Sequence, residues 1–190
     1  MKKLIYLSIV ALMTLGVCTL SSCGKDDEPT NKTDTEKFEP TLKSVYELKL
    51  GKDFFKVVSK VDIYYYDGSE TLKTETLTSG TSWSKTITAS SFPAKFGVKA
   101  VATPRNASDI ADGTYDLKSS LWFKVVKATS VNSEKSKTNA SEWLSGYDYD
   151  NQVYTYTKEQ LSTLDSEDWS AGGWYEVYDS SFNETTSGRW

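Results

Sequence analysis

From residue 45 to about residue 126 apolar side chains recur at every second position, the period of a strand that buries one face. The clearest run covers 55–65. There Phe55, Val57, Val61, Ile63 and Tyr65 share one face, and Lys56, Lys60 and Asp62 take the other. Asp67-Gly68 follows, a dipeptide that accepts the positive φ values of a tight hairpin turn, so 71–78 is expected to return beside the first run. The return carries only Leu72 and Leu77 among threonines and charges, which places it near a sheet edge. Trp83 and Ile87 share a phase over 82–89. Phe96, Val98, Ala100 and Ala102 alternate as far as Pro104. After a loop over 105–113, Tyr115, Leu117, Leu121, Phe123 and Val125 face one way, while Tyr46, Leu48 and Leu50 supply an opening strand. Short strands punctuated by Gly, Pro and Asp, with no helical period between them, predict an all-β fold. The expected form is an antiparallel β-sandwich over 42–128 with immunoglobulin-like connectivity; an up-and-down β-barrel is the alternative.

The pattern changes downstream. Residues 129–142 are polar, with Val131 as the one large apolar residue, and read as a long surface loop. Residues 143–190 then read as an aromatic, acidic C-terminal extension or subdomain. The last sixty residues hold 4 basic and 11 acidic side chains and four of the six tryptophans. Val153-Tyr154-Thr155-Tyr156 and 174–178 look extended, Thr157-Lys158-Glu159-Gln160 has the form of a capping box, and Gly172-Gly173 marks a turn before the last strand.

The N-terminus follows neither pattern. Met1-Lys2-Lys3 is a basic tip, and residues 4–20 are apolar except for Ser8, Thr14, Gly16 and Thr19. That run is shorter than the ~20 apolar residues of a bilayer span and has the flanks of a secretory signal over 1–22. Leu20-Ser21-Ser22-Cys23 directly after it resembles the lipobox of bacterial lipoproteins, and Lys25-Asp26-Asp27-Glu28 resembles the acidic export signal of surface lipoproteins from the Bacteroidota. The resemblance implies cleavage before Cys23, acylation of that cysteine, and display on the outer face of the outer membrane. One acyl chain, at ~0.8 kcal/mol per buried CH₂, holds a bilayer marginally, whereas two or three hold it firmly. Residues 23–41, polar and acidic with Phe38 as the one large apolar residue, read as a flexible tether.

Composition narrows the function classes. The chain of 190 residues has no His and two Cys. Cys18 lies within the signal and Cys23 is the acylation site, so the folded part has no thiol for a disulfide. The missing imidazole removes Ser-His, Cys-His and His-metal chemistry, and neither a Gly-rich phosphate loop nor a G-x-S-x-G elbow is present. The mature chain would hold 20 basic and 26 acidic side chains, a formal −6, which argues against a nucleic-acid partner. Asp148, Asp150 and Glu159 have the spacing of EF-hand positions one, three and twelve, but Val153 stands where the loop needs Gly. No metal and no cofactor is therefore expected, and no enzyme activity.

The aromatic C-terminus is the one functional hint. Sugar rings present flat C–H faces to indoles and phenols, and carboxylates beside them accept hydroxyl hydrogen bonds. Trp143, Trp169, Trp174 and Tyr175, with Asp165, Glu167 and Asp168 nearby, are the candidate ligand-binding residues. The same rings also suit strands that turn them into a core. The expectation is a membrane-anchored binding module for carbohydrate or a partner outer-membrane protein. A structural or adhesion subunit of a pilus is the alternative.

Overall fold

The alternation seen in sequence decides which face of a sheet each side chain meets. The computed structural model describes residues 40–133, 136–165 and 167–190. Among them, nine strands form two antiparallel sheets: β1 Thr41–Leu50, β2 Val58–Tyr66, β3 Leu72–Leu77, β4 Ser82–Thr88, β5 Ala94–Pro104, β6 Thr114–Ser133, β7 Ser136–Thr157, β8 Ser170–Tyr178 and β9 Glu184–Arg189. The first sheet has the order β4-β1-β6-β7 and the second β3-β2-β5-β8-β9. Both are open, so the fold is a β-sandwich and not the barrel alternative. The expected leader over 1–22, the lipobox-like residues Leu20, Ser21, Ser22 and Cys23, and the acidic run Lys25, Asp26, Asp27 and Glu28 lie outside the described residues.

The core fills the space between the sheets with the predicted phase. Tyr46 and Leu48 of β1, Val61, Ile63 and Tyr65 of β2, Phe96 and Val98 of β5, and Leu121, Phe123 and Val125 of β6 are buried. Tyr46 sits at the centre. Its hydroxyl donates to the Tyr66 carbonyl at 2.9 Å and accepts from the Gly97 amide at 3.2 Å, tying the two sheets together. The return strand β3 is an edge strand, as its sparse apolar content indicated.

Five features depart from the sequence reading. The connectivity is not immunoglobulin-like: β1 and β2 lie in different sheets, whereas that fold keeps its first two strands in one. Strands β1–β8 instead have the neighbour order of a jelly roll entered at a different strand, with β9 added at one edge. Alternation reports the buried face but not the neighbour, which is why it could not separate the two. The run at 55–65 also does not begin as a strand. Phe54–Val57 forms a single helical turn, α1, that carries the chain between sheets and buries Phe54 rather than Phe55.

Residues 129–133 and 136–142 belong to strands β6 and β7 rather than to a loop. β6 and β7 stay in register through Ser133↔Ser136 and form one long hairpin. Finally, 143–190 is integral to the sandwich, giving the fourth strand of the first sheet and the last two of the second. Gly172 and Gly173 lie inside β8, at φ values of +79° and +90°, and bulge it opposite Val98 and Lys99 rather than turning the chain. The capping box is present: Thr157 accepts from the Gln160 amide, Gln160 accepts from the Thr157 amide at 2.8 Å, and a single turn, α2 Lys158–Leu161, follows.

Candidate ligand-binding surface

The four aromatics singled out in sequence do not form one site. Trp169 is only 9% exposed and belongs to the core. The acids beside it serve their own turn, with Asp165 accepting from the amides of Glu167 and Asp168 and Asp168 accepting from that of Asp165. Trp174 and Tyr175 are consecutive strand residues and therefore point to opposite faces of the second sheet. Trp174 turns inward and lies parallel to the ring of Tyr147, at 6.1 Å and 10°. Tyr175 faces outward, where the Lys95 ammonium stands 4.4 Å from its ring centroid and 4.1 Å from that of Tyr66. A ring held under a lysine in this way is already occupied.

Trp143 is different. It is 73% exposed, the most exposed of the large apolar side chains described. A bulge places it there. Val125 pairs with Ser145 while its neighbour Val126 pairs with Trp143, so Leu144 is the extra residue. The shift sends Leu144 against the core and swings Trp143 to the outer face of the first sheet. Its indole N–H donates to the Ser145 carbonyl at 2.7 Å, which restrains the ring.

Neighbouring residues on that face complete a surface. Leu121, Phe123 and Val125 are buried, so Trp122, Lys124 and Val126 of β6 point outward. Their partners on β7 are Asp148, Gly146 and Trp143 respectively. Together they line an open depression of about 610 Å³, within the size range of small-molecule sites. Gly146 forms its floor. A Cβ there would stand 2.5 Å from the Phe123 carbonyl oxygen, so only glycine allows β6 and β7 to approach this closely. The Lys124 ammonium lies 5.8 Å from the Trp122 ring centroid, and Asp148 sits directly across from Trp122. Beyond Trp122 and Asp148 the depression continues toward Lys49, Lys118 and Ser120.

This face offers two indoles, an ammonium, a carboxylate and hydroxyls around a bare backbone floor. Such a set can stack a ring and hydrogen-bond its substituents. It contains no nucleophile paired with a base, and among the described residues no three His, Cys, Asp or Glu side chains converge on a common point. Trp122 and Tyr147 are the residues sequence reading missed. Trp122 lies between core residues of β6 and Tyr147 in a strand with no fully buried side chain among those described, and only the β6–β7 register reveals that Trp122 meets Asp148 and lies near Trp143. Comparison with known proteins finds no matching family, no matching curated protein and no matching solved structure.

Proposed function

We propose that the chain is a lipid-anchored protein of the outer membrane, facing the cell exterior, whose sandwich binds carbohydrate without transforming it. The binding surface is the outer face of β6 and β7. The observation that carries this reading is Trp143, an exposed indole held by its own hydrogen bond beside the floor at Gly146, with Trp122 on the same face. A soluble protein keeps a large ring in water at a cost unless the ring meets a partner, and a sugar's C–H face is the partner such a ring suits. Lys124 and Asp148 supply a donor and an acceptor for the hydroxyls at the ring's rim. The location rests on Leu20-Ser21-Ser22-Cys23 and the acidic residues behind it. A glycan-array screen of the chain from residue 23, carrying Cys23→Ser so that it stays soluble, tests the reading. Binding to a defined glycan class, lost in Trp143→Ala, supports it; no binding, or binding indifferent to that change, contradicts it.

A second reading is favoured by one observation. β7 spans 22 residues as an edge of the first sheet, and such an edge can accept a strand from a partner outer-membrane protein or a neighbouring subunit. In that case the soluble chain would assemble with rising concentration in sedimentation velocity; a monomer at all concentrations rules out self-assembly.

A further inference from the structure

The sandwich has two flanks, and they differ. Between β3 and β4 the gap is closed: Glu75 accepts from the Trp83 indole at 2.7 Å, from the Tyr65 hydroxyl at 2.8 Å and from the Lys85 ammonium. Between β7 and β9 it stays open as a cleft of about 390 Å³. Glu176 stands within this cleft and is only 2% exposed. It accepts from the Ser145 hydroxyl at 2.9 Å and the Tyr178 hydroxyl at 2.8 Å. A carboxylate has about four acceptor positions, so two hydroxyl donors leave it able to accept more. The stacked pair Tyr147 and Trp174 forms an aromatic wall, and β9 contributes Glu184, Ser187 and Arg189 at the rim.

We propose that this cleft is a second subsite of the glycan surface, holding one neutral sugar ring by its hydroxyls, with the glycan crossing the β7 edge at Gly146. The proposal rests on the carbohydrate reading of the outer face and adds the class of ligand and its path. Three observations carry it. First, the cleft mixes acceptors (Glu176, Glu184) with a donor (Arg189) and hydroxyls. An anion would face the two carboxylates and a cation would face the guanidinium, whereas sugar hydroxyls, each both donor and acceptor, satisfy both kinds of group. Second, Glu176 is a buried polar group fixed by two hydrogen bonds, which gives the site a preorganised acceptor. Third, Gly146 and Tyr147 line this cleft and the outer depression alike, so one chain of sugars can occupy both without crossing bulk protein.

Calorimetric titration of the full lipidated chain in detergent micelles tests this, with neutral cello-, malto-, manno- and xylo-oligosaccharides of two to six units as probes. The expected result is affinity that rises with length. Glu176→Gln should cut binding of the longer oligomers at least tenfold and Arg189→Gln about fivefold, each leaving the shortest binding oligomer unchanged. Trp143→Ala should weaken every length. If Glu176→Gln fails to fold, as judged by its thermal melt, the exposed position Arg189→Gln decides. Should Trp143→Ala abolish binding while Glu176→Gln and Arg189→Gln leave the length series untouched, the subsite is wrong and the outer-face reading stands. Tighter binding of glucosamine oligomers, lost in Glu176→Gln, would overturn the neutral-ligand assignment. If no oligomer binds the unaltered chain, both readings fall together.

Discussion

Glu75 belongs to an edge strand of one sheet, and its partners Trp83 and Lys85 belong to an edge strand of the other. The ammonium of Lys85, then the indole of Trp83, stabilise its charged form and lower its pKa from 4.5 to about 2. A carboxylate depressed on folding contributes fully above its unfolded pKa and loses that contribution as the pH falls toward the folded one. The flank is therefore expected to loosen between about pH 4.5 and about pH 2. Glu75→Gln should cost roughly 1 kcal/mol at neutral pH, the worth of a half-exposed charged hydrogen bond, and should flatten the acid limb. Urea midpoints measured across that range check this; parallel curves for the two proteins would contradict it. At this scale the sequence was informative about phase. Val61, Ile63 and Tyr65 and the β5 and β6 residues were legible as core because every second one is apolar. Trp169 was readable both as core and as ligand site, since acids beside a tryptophan look the same whether they await a ligand or cap a turn; the structure gives core.

In the C-terminal third the end of β7 and most of β8 were visible in sequence, but β9, the rest of β7 and the places of all three in the two sheets were not. Gly172-Gly173 reads as a turn in any sequence; here the left-handed pair sits inside β8 and lets it bulge past β5. A Cβ at Gly172 would stand 2.7 Å from both the Val98 carbonyl oxygen and a methyl of Leu121. Gly172→Ala is thus expected to lower stability by about 2 kcal/mol or more, combining left-handed strain with a backbone collision. Chemical denaturation gives the number, and a loss below a few tenths would show that β8 can straighten there. The β6–β7 hairpin was hidden for another reason. Strand pairing uses backbone groups alone, whereas a period of two appears in sequence only where one face is apolar. The same hairpin carries Trp122 and Trp143, so the register that hid it also hid the candidate surface. Only the exposed Trp143 was anticipated, and the bulge at Leu144 that exposes it was not.

For the molecule as a whole, the sandwich and the anchor are separate propositions. The sandwich follows from alternation and packing. The proposed anchor rests on the lipobox resemblance within residues 1–28, where Cys23 is the residue on which attachment would depend. Cys23→Ser is expected to move the protein from the membrane fraction to the soluble one, and mass spectrometry of the unaltered chain should find fatty acid on residue 23. An unmodified Cys23 with the leader still attached would remove the proposed location. Six indoles distributed between core and surface make the binding claim directly measurable. Trp83 and Trp169 are buried, Trp143 is exposed, and Trp122, Trp174 and Trp190 are partly covered. Nuclear magnetic resonance can follow all six indole N–H signals while a glycan is titrated into the soluble Cys23→Ser chain. The account predicts saturable shifts at Trp122 and Trp143, with Trp83 and Trp169 unmoved. Saturable binding that leaves Trp122 and Trp143 where they began would contradict it.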